Sequence, residues 1–112
     1  MSDPASGPPV ENLGPEEVKA GLDDGSILLI DVREPKETVL ERIPGSILAP
    51  LTEFDPLALP DPQGRRVVFS CRSGNRSVKA SHLAQAAGLP YDAHLAGGIL
   101  AWKAAGFDTE SG

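Results

Sequence analysis

The hydrophobic positions of the chain form short apolar runs separated by polar segments that contain glycine and proline. The clearest runs are ILLIDV at residues 27–32 and VVF at residues 67–69. Continuous runs of this kind are typical of strands that are covered on both faces. The pattern predicts strands at residues 27–32, 46–49, 67–69 and 93–95, and helices at residues 15–24, 35–40, 77–87 and 99–105.

This alternation of strands and helices predicts an α/β domain with a mostly parallel sheet. The 112 residues are enough for one hydrophobic core and one domain. We expect the folded domain at residues 13–108, with a disordered N-terminal tail at 1–12 and a C-terminal tail at 109–112. Three prolines between residues 51 and 64 predict a loop there with at most one helical turn.

Composition and charge exclude several functional classes. A net charge of −6 disfavours general nucleic-acid binding, which needs surplus lysine and arginine. The chain has no apolar run near the roughly 20 residues that a membrane span requires. The first nine residues are polar and lack the basic and apolar regions of a signal peptide, so the expected location is cytoplasmic.

The charges are unevenly distributed along the chain. All 16 acidic residues lie outside residues 62–91. This window is either a solvated basic patch or a site that attracts a small anion. It contains five of the ten basic residues: Arg65, Arg66, Arg72, Arg76 and Lys79.

The single cysteine, Cys71, follows a predicted strand, at the edge where open α/β sheets bind ligands. One cysteine forms no internal disulfide, and His82 and His94 lack metal-ligand spacing relative to it. The sequence therefore predicts no metal ion and no cofactor. We expect both histidines to be surface or packing residues.

The residues after Cys71 favour its thiolate. Arg72 and Arg76 flank the sulfur, a helix start follows, and cations and helix N-termini lower cysteine pKa values. Gly74 allows successive backbone N–H groups to converge as an anion-binding nest. An inert buried cysteine is the alternative, but this polar loop is a poor environment for an apolar group.

Four segments together resemble the rhodanese-like sulfurtransferase family, in that family's order and spacing. They are LLIDVREP (28–35), RIPGSI (42–47), VVFSCRSGNRS (67–77) and LAGGILAWKAAG (95–106). The resemblance covers about residues 13–108. It implies a small, mostly parallel five-stranded sheet with helices on both faces, and a cysteine persulfide that carries sulfane sulfur.

The resemblance also implies roles for individual residues. Cys71 matches the catalytic nucleophile of the family. Asp31 and Arg33 match a signature that supports the active-site loop, and Gly97 and Gly98 match a turn packed beside it. The loop that holds the sulfur and binds substrate comprises Arg72, Ser73, Gly74, Asn75, Arg76 and Ser77.

Two positions depart from the family pattern. Thr38 stands where the family usually has an aromatic residue, and Arg42 stands where it has histidine. The missing histidine is not the nucleophile, so the expected activity is unaffected. The departures bear on the packing of this segment and on any partner contact made there.

The expected activity is transfer of sulfur from thiosulfate or a persulfide to a thiol or cyanide, with ping-pong kinetics. The expected partners are a small anionic sulfur donor and a thiol acceptor, such as a thioredoxin-like or sulfur-carrier protein. One alternative is a noncatalytic binding or redox-sensing module. Another is a cysteine phosphatase or arsenate reductase, which the four residues between Cys71 and Arg76 disfavour because phosphatase loops have five.

Overall fold

A computed structural model describes residues 8–111 of the chain, in which strands and helices alternate. Glycine and proline mark several of the boundaries. Helix α1, for example, begins at Pro15 and ends before Gly25, which adopts a left-handed conformation. The elements are β1 (Glu11–Leu13), α1 (Pro15–Asp24), β2 (Ile27–Asp31), α2 (Pro35–Thr38), β3 (Ile47–Leu48), β4 (Arg66–Ser70), α3 (Asn75–Ala86), β5 (Ala93–Leu95) and α4 (Gly98–Ala104).

The strands form one five-stranded sheet in the order β1-β5-β4-β2-β3. Every neighbouring pair is parallel, which confirms the predicted sheet. The longest pairing joins β2 to β4, from Ile27 opposite Arg66 to Asp31 opposite Ser70. These two strands carry the apolar runs of the sequence because they are covered on both faces.

Alternate side chains of the central strands enter two separate hydrophobic clusters. Leu29 lies on the face that contains Val18 of α1 and Trp102 of α4. Phe69 lies on the opposite face with Ala80 of α3. Helices therefore cover both faces of the sheet, as the family resemblance implied.

The strand order opens a crevice beyond the carboxyl ends of β2 and β4. After β2 the chain runs through α2 to β3 at one edge of the sheet, whereas after β4 it runs through α3 to β5 on the other side. The two connections diverge, and ligands of open α/β sheets bind at such a point. Cys71 is the first residue after β4 and therefore lies at this crevice.

Strand β1 was not predicted, and the folded domain begins at Glu11 rather than at residue 13. Glu11 and Asn12, which the sequence assigned to the N-terminal tail, pair with β5. An edge strand with only Leu13 buried has no apolar run to reveal it. The rest of the predicted tail includes residues 1–7, which lie outside the described residues.

The C-terminal boundary also differs from the prediction. Arg42 and Glu110 exchange two backbone hydrogen bonds, of 2.8 and 2.9 Å, and their side chains form an ion pair. The predicted tail at 109–112 is therefore attached to the domain at Glu110. The Arg42 side chain contributes only the ion pair to this attachment.

The loop at 51–64 and the start of α3 also differ from the prediction. The loop at 51–64 contains two 3₁₀ turns, Leu51–Glu53 and Pro56–Ala58, where at most one turn was expected. Helix α3 begins at Asn75 rather than at residue 77, directly after Gly74. Across residues 8–111, the helices are all too short or too polar to cross a membrane.

Candidate active site

The Cys71 side chain is buried, with 1% of its surface exposed, at the end of the cluster that contains Phe69. This corrects the expectation that a polar loop is a poor environment for burying the cysteine. The loop covers the sulfur with its backbone and directs Arg72 and Ser73 outward to solvent. The thiol is therefore buried, but polar backbone groups as well as apolar side chains surround it.

Two backbone N–H donors and one hydroxyl group of the loop surround the Cys71 sulfur. The backbone nitrogens of Gly74 and Ser77 lie 3.1 and 3.4 Å from Sγ, and the Ser77 hydroxyl oxygen lies 3.5 Å from it. Burial acts to raise the pKa of Cys71, but the hydrogen bonds of Ser77 and the amides of Gly74 and Ser73 outweigh it. The pKa of the thiol is lowered, which favours the nucleophilic thiolate.

The start of helix α4 fixes the direction of the loop backbone. The backbone N–H groups of Ile99 and Leu100 donate to the carbonyl oxygens of Cys71 and Arg72, at 2.9 and 3.2 Å. A Cβ atom at Gly98 would lie 2.3 Å from the Cys71 carbonyl oxygen. Glycine at this position therefore allows α4 to approach the loop closely.

The remaining glycines of the site allow the same close approach. Gly74 has φ of 106°, and a Cβ atom there would lie 3.2 Å from the backbone nitrogen of Gly97. The turn at Gly97 and Gly98 is therefore in contact with the loop.

Arg76 forms a bidentate ion pair with Glu37 of α2, with N–O distances of 2.7 and 2.9 Å. The hydrogen bond from Arg76 lowers the pKa of Glu37 to about 2. The sequence placed Arg76 in the loop that holds the sulfur and binds substrate. In the structure its guanidinium joins α3 to α2 instead.

The side chain of Arg72 is exposed and has no hydrogen-bond or ion-pair partner within residues 8–111. It borders a cleft of about 260 Å³ between α2 and α4, at the carboxyl edge of the sheet. Arg72 is therefore the loop arginine that is available to attract an anion. The cleft is lined by Arg33, Glu37, Leu40, Glu41, Arg72, Ile99, Leu100 and Lys103.

Asp31 and Arg33 form a buried ion pair at the end of β2, with an N–O distance of 2.8 Å. Arg33 also donates to the carbonyl oxygen of Glu41 at 2.8 Å. These contacts hold the segment that carries Glu37, and Glu37 in turn binds Arg76. Among the described residues, the support of the Cys71 loop by this pair is thus indirect.

The polar side chains of the loop differ in what they contact. Ser73 and Asn75 are exposed, and their side chains form no hydrogen bond to the part of the chain that the structure describes. Gly74 occupies the N-cap position of α3, and Ser77 lies within its first turn. The Ser77 hydroxyl oxygen accepts a hydrogen bond from the Cys71 thiol at 3.5 Å.

His94 was expected to be a surface or packing residue, but it hydrogen-bonds to the site. Its Nδ1 lies 2.7 Å from Oγ of Ser77, and its Nε2 lies 2.6 Å from Oδ1 of Asn12. His94 pairs with Phe69 across β5 and β4, which places it beside the strand that leads into Cys71. A polar residue in a buried strand next to β4 was the signal available in the sequence.

The other histidine, His82, lies on the outer side of α3, where its Nε2 is 2.9 Å from the carbonyl oxygen of Pro8. Across residues 8–111, no group of three or more His, Cys, Asp or Glu side chains is arranged to hold a metal ion.

Comparison with known proteins identifies relatives of the whole domain. The sequence model of the rhodanese-like domain matches residues 14–105. An uncharacterized protein of Synechocystis is 38% identical over 97 residues, which cover 87% of this chain and 54% of the relative. The chain thus spans about half the length of that relative.

Two further matches carry a functional name. A protein of Allochromatium vinosum named sulfurtransferase is 36% identical over 81 residues, or 71% of this chain and 75% of that protein. The crystal structure of a thiosulfate sulfurtransferase from Pseudomonas aeruginosa superposes with a TM-score of 0.79 at 33% identity. The match covers 92% of this chain and 20% of that one.

We predict that Gly98→Ala lowers the reactivity of Cys71 toward iodoacetamide at pH 7 by about tenfold, equivalent to one pKa unit. The added methyl group would displace the Cys71 carbonyl oxygen, which lies 2.3 Å away, and would misalign the loop amides. Gly106→Ala is the matched control, because Gly106 also has a positive φ but no atom within 4 Å. Equal alkylation rates for the two variants would contradict the role assigned to α4.

We predict that Glu37→Gln lowers the free energy of unfolding by about 1–2 kcal/mol near neutral pH, allowing for solvent screening. Because Arg76 lowers the pKa of Glu37 from 4.5 to about 2, the stabilisation is fully present above pH 4.5 and is lost as the pH falls toward 2. Urea unfolding at several pH values measures this difference. The exposed Glu53→Gln variant is the control, and a difference that stays constant down to pH 2 would contradict the prediction.

Proposed function

Because the chain belongs to the rhodanese-like domain family, we propose that it is a sulfurtransferase that carries sulfur as a persulfide on Cys71. The observation that carries the proposal is the convergence of two backbone N–H groups and one hydroxyl group on the Cys71 sulfur. The two N–H donors stabilise negative charge on sulfur, and they need no movement during the reaction.

In the first step the Cys71 thiolate attacks the outer sulfur of thiosulfate or of a persulfide. A bond forms between Sγ and that sulfur, the sulfur–sulfur bond of the donor breaks, and the donor remnant leaves with the electron pair. For thiosulfate the remnant is sulfite. The exposed guanidinium of Arg72 attracts the anionic donor to the cleft.

In the second step a thiolate or cyanide attacks the outer sulfur of the Cys71 persulfide. The bond between the two sulfur atoms breaks, and its electron pair returns to Sγ as the thiolate. The amides of Gly74 and Ser77 stabilise the leaving thiolate as they stabilised the nucleophile. The two half-reactions share one enzyme intermediate, so the kinetics are ping-pong.

The acceptor is part of the proposal. The sequence contains one cysteine, so the acceptor thiol comes from outside this sequence. A thioredoxin-like or sulfur-carrier protein in the cytoplasm fits this chemistry. The cleft of about 260 Å³ beside Arg72 is the proposed approach for the acceptor.

One contact and the length of the loop favour this function over phosphate transfer. The arginine of a phosphatase loop must face the transferred anion, whereas Arg76 is engaged at both nitrogens by Glu37. The loop also has four residues between Cys71 and Arg76, one fewer than phosphatase loops. A noncatalytic module is the remaining alternative, and the test of the persulfide addresses it.

We predict that thiosulfate converts the purified protein to a form heavier by one sulfur atom, because the buried thiolate is held ready for attack. Intact-mass spectrometry measures the adduct, and a reductant or cyanide removes it. Cys71→Ser is the control and carries no adduct. If neither thiosulfate nor a low-molecular-weight persulfide forms the adduct on the folded protein, the chain is not a sulfurtransferase; if aryl phosphate is hydrolysed instead, the phosphatase is favoured.

We predict that Arg72→Ala raises the KM for thiosulfate about tenfold, which corresponds to about 1.4 kcal/mol of lost donor binding. The kcat changes less, because Arg72 has no contact with the Cys71 sulfur among the described residues. Steady-state kinetics with cyanide as acceptor separate the two constants. Lys79→Ala removes one exposed positive charge from α3 and is the matched control, so equal KM values for the two variants would contradict a specific role for Arg72.

A further inference from the structure

A continuous chain of hydrogen bonds runs from the Cys71 sulfur to the edge of the sheet. Oγ of Ser77 lies 3.5 Å from Sγ of Cys71 and 2.7 Å from Nδ1 of His94. On its other side, the His94 ring is 2.6 Å from Oδ1 of Asn12. The first three groups are buried, and Asn12 is exposed on β1.

The partners define where the protons lie when the thiol is neutral. With Oδ1 of Asn12 as acceptor, Nε2 of His94 carries a hydrogen and Nδ1 has a free lone pair. The Ser77 hydroxyl then donates to Nδ1. Its oxygen accepts from the Cys71 thiol, so every member of the chain is satisfied.

We propose that Ser77 and His94 form a proton relay that receives the proton of the Cys71 thiol. The proposal rests on the proposed sulfur transfer, for which it supplies the base. As the S–H bond breaks, a new bond forms between that proton and Oγ of Ser77. The original hydroxyl proton of Ser77 moves to Nδ1 of His94, which leaves a thiolate and an imidazolium with no change in total charge.

The relay also serves the return step. Once His94 is protonated at both ring nitrogens, its Nδ1–H donates to Ser77, and the hydroxyl proton of Ser77 points to Sγ. This hydrogen bond strengthens as negative charge returns to Sγ during attack by the acceptor. Ser77 contacts the reacting atom, whereas His94 and Asn12 are positioning residues that act through it.

The surroundings of His94 couple its protonation to that of Cys71. Burial lowers the pKa of His94, so an imidazolium there depends on a nearby anion. Glu11 and Asp92 form ion pairs with Arg66, so their carboxylates are paired with this arginine and not with the His94 ring. The titratable residues on the elements packed against His94 are Glu11 on β1, Arg66 on β4, Asp92 before β5, Cys71 in the loop, and Arg76, Lys79 and His82 on α3.

Arg76 is paired with Glu37, and His82 is bonded to Pro8 on the outside of α3. Within residues 8–111, Cys71 is the ionisable group that the hydrogen bonds of Ser77 connect to the His94 ring. The thiolate should therefore raise the pKa of His94. By thermodynamic reciprocity, the imidazolium should lower the pKa of Cys71 by the same amount.

The test measures this coupling from both ends in the folded, reduced protein. Nitrogen-15 NMR titration of His94 compares wild type with Cys71→Ala, and the pH dependence of iodoacetamide alkylation of Cys71 compares wild type with His94→Asn. We expect the pKa of His94 to fall by about one unit in Cys71→Ala. We expect the midpoint of Cys71 alkylation to rise by a similar amount in His94→Asn, and each shift is a tenfold change in proton affinity. Ser77→Ala should abolish both effects, and Ser77→Thr should restore them.

His82→Asn is the control, and neither midpoint should move in it. If His94 titrates identically with and without the Cys71 thiol, the relay is wrong, and the wild-type and Cys71→Ala comparison decides this even if the His94 and Ser77 variants fail to fold. A purely structural role would lower the stability of the variants without moving either midpoint. Because neither measurement uses sulfur transfer, coupling without a persulfide adduct would refute the proposed function alone.

Discussion

The active-site loop depends on the hydrogen bonds that join its first two carbonyl groups to the start of α4. A peptide unit is planar, so fixing the direction of a carbonyl also fixes the direction of the N–H group on its other side. With the carbonyl groups of Cys71 and Arg72 bound by α4, the amides of Arg72 and Ser73 are directed away from α4, and the next amide, that of Gly74, donates to the sulfur at 3.1 Å. The glycine at position 98 is required because any side chain there would separate the two elements.

The ion pairs of the site give its arginines two different functions. The sequence has no acidic residue between 62 and 91, but Glu37, Glu11 and Asp92 reach this window from outside it. They bind Arg76 and Arg66, which become structural. Arg72 keeps its charge exposed at the cleft, so the folded domain presents one well-defined loop cation rather than a diffuse basic patch.

The sequence predicted the sheet well because β2 and β4 carry apolar runs that solvent-exposed strands lack. It also placed Cys71 at the carboxyl edge, since that position follows from where the β4 run ends. It did not predict β1, whose single buried residue is Leu13, or the contacts of Arg76. It missed His94 for the same reason: the bonds that define its role come from residues 17 and 82 positions away, and no local pattern encodes such contacts.

Strand β1 has a consequence for the dynamics of the site. It is paired on one side only, through Glu11–Leu13, and it closes a loop that spans almost the whole domain. Short edge strands of this kind open at a lower free energy than the core, without global unfolding. When β1 detaches, His94 loses its hydrogen bond to Asn12 and gains access to water, so the proposed relay makes the acid–base properties of Cys71 depend on the local stability of this edge rather than on that of the whole domain.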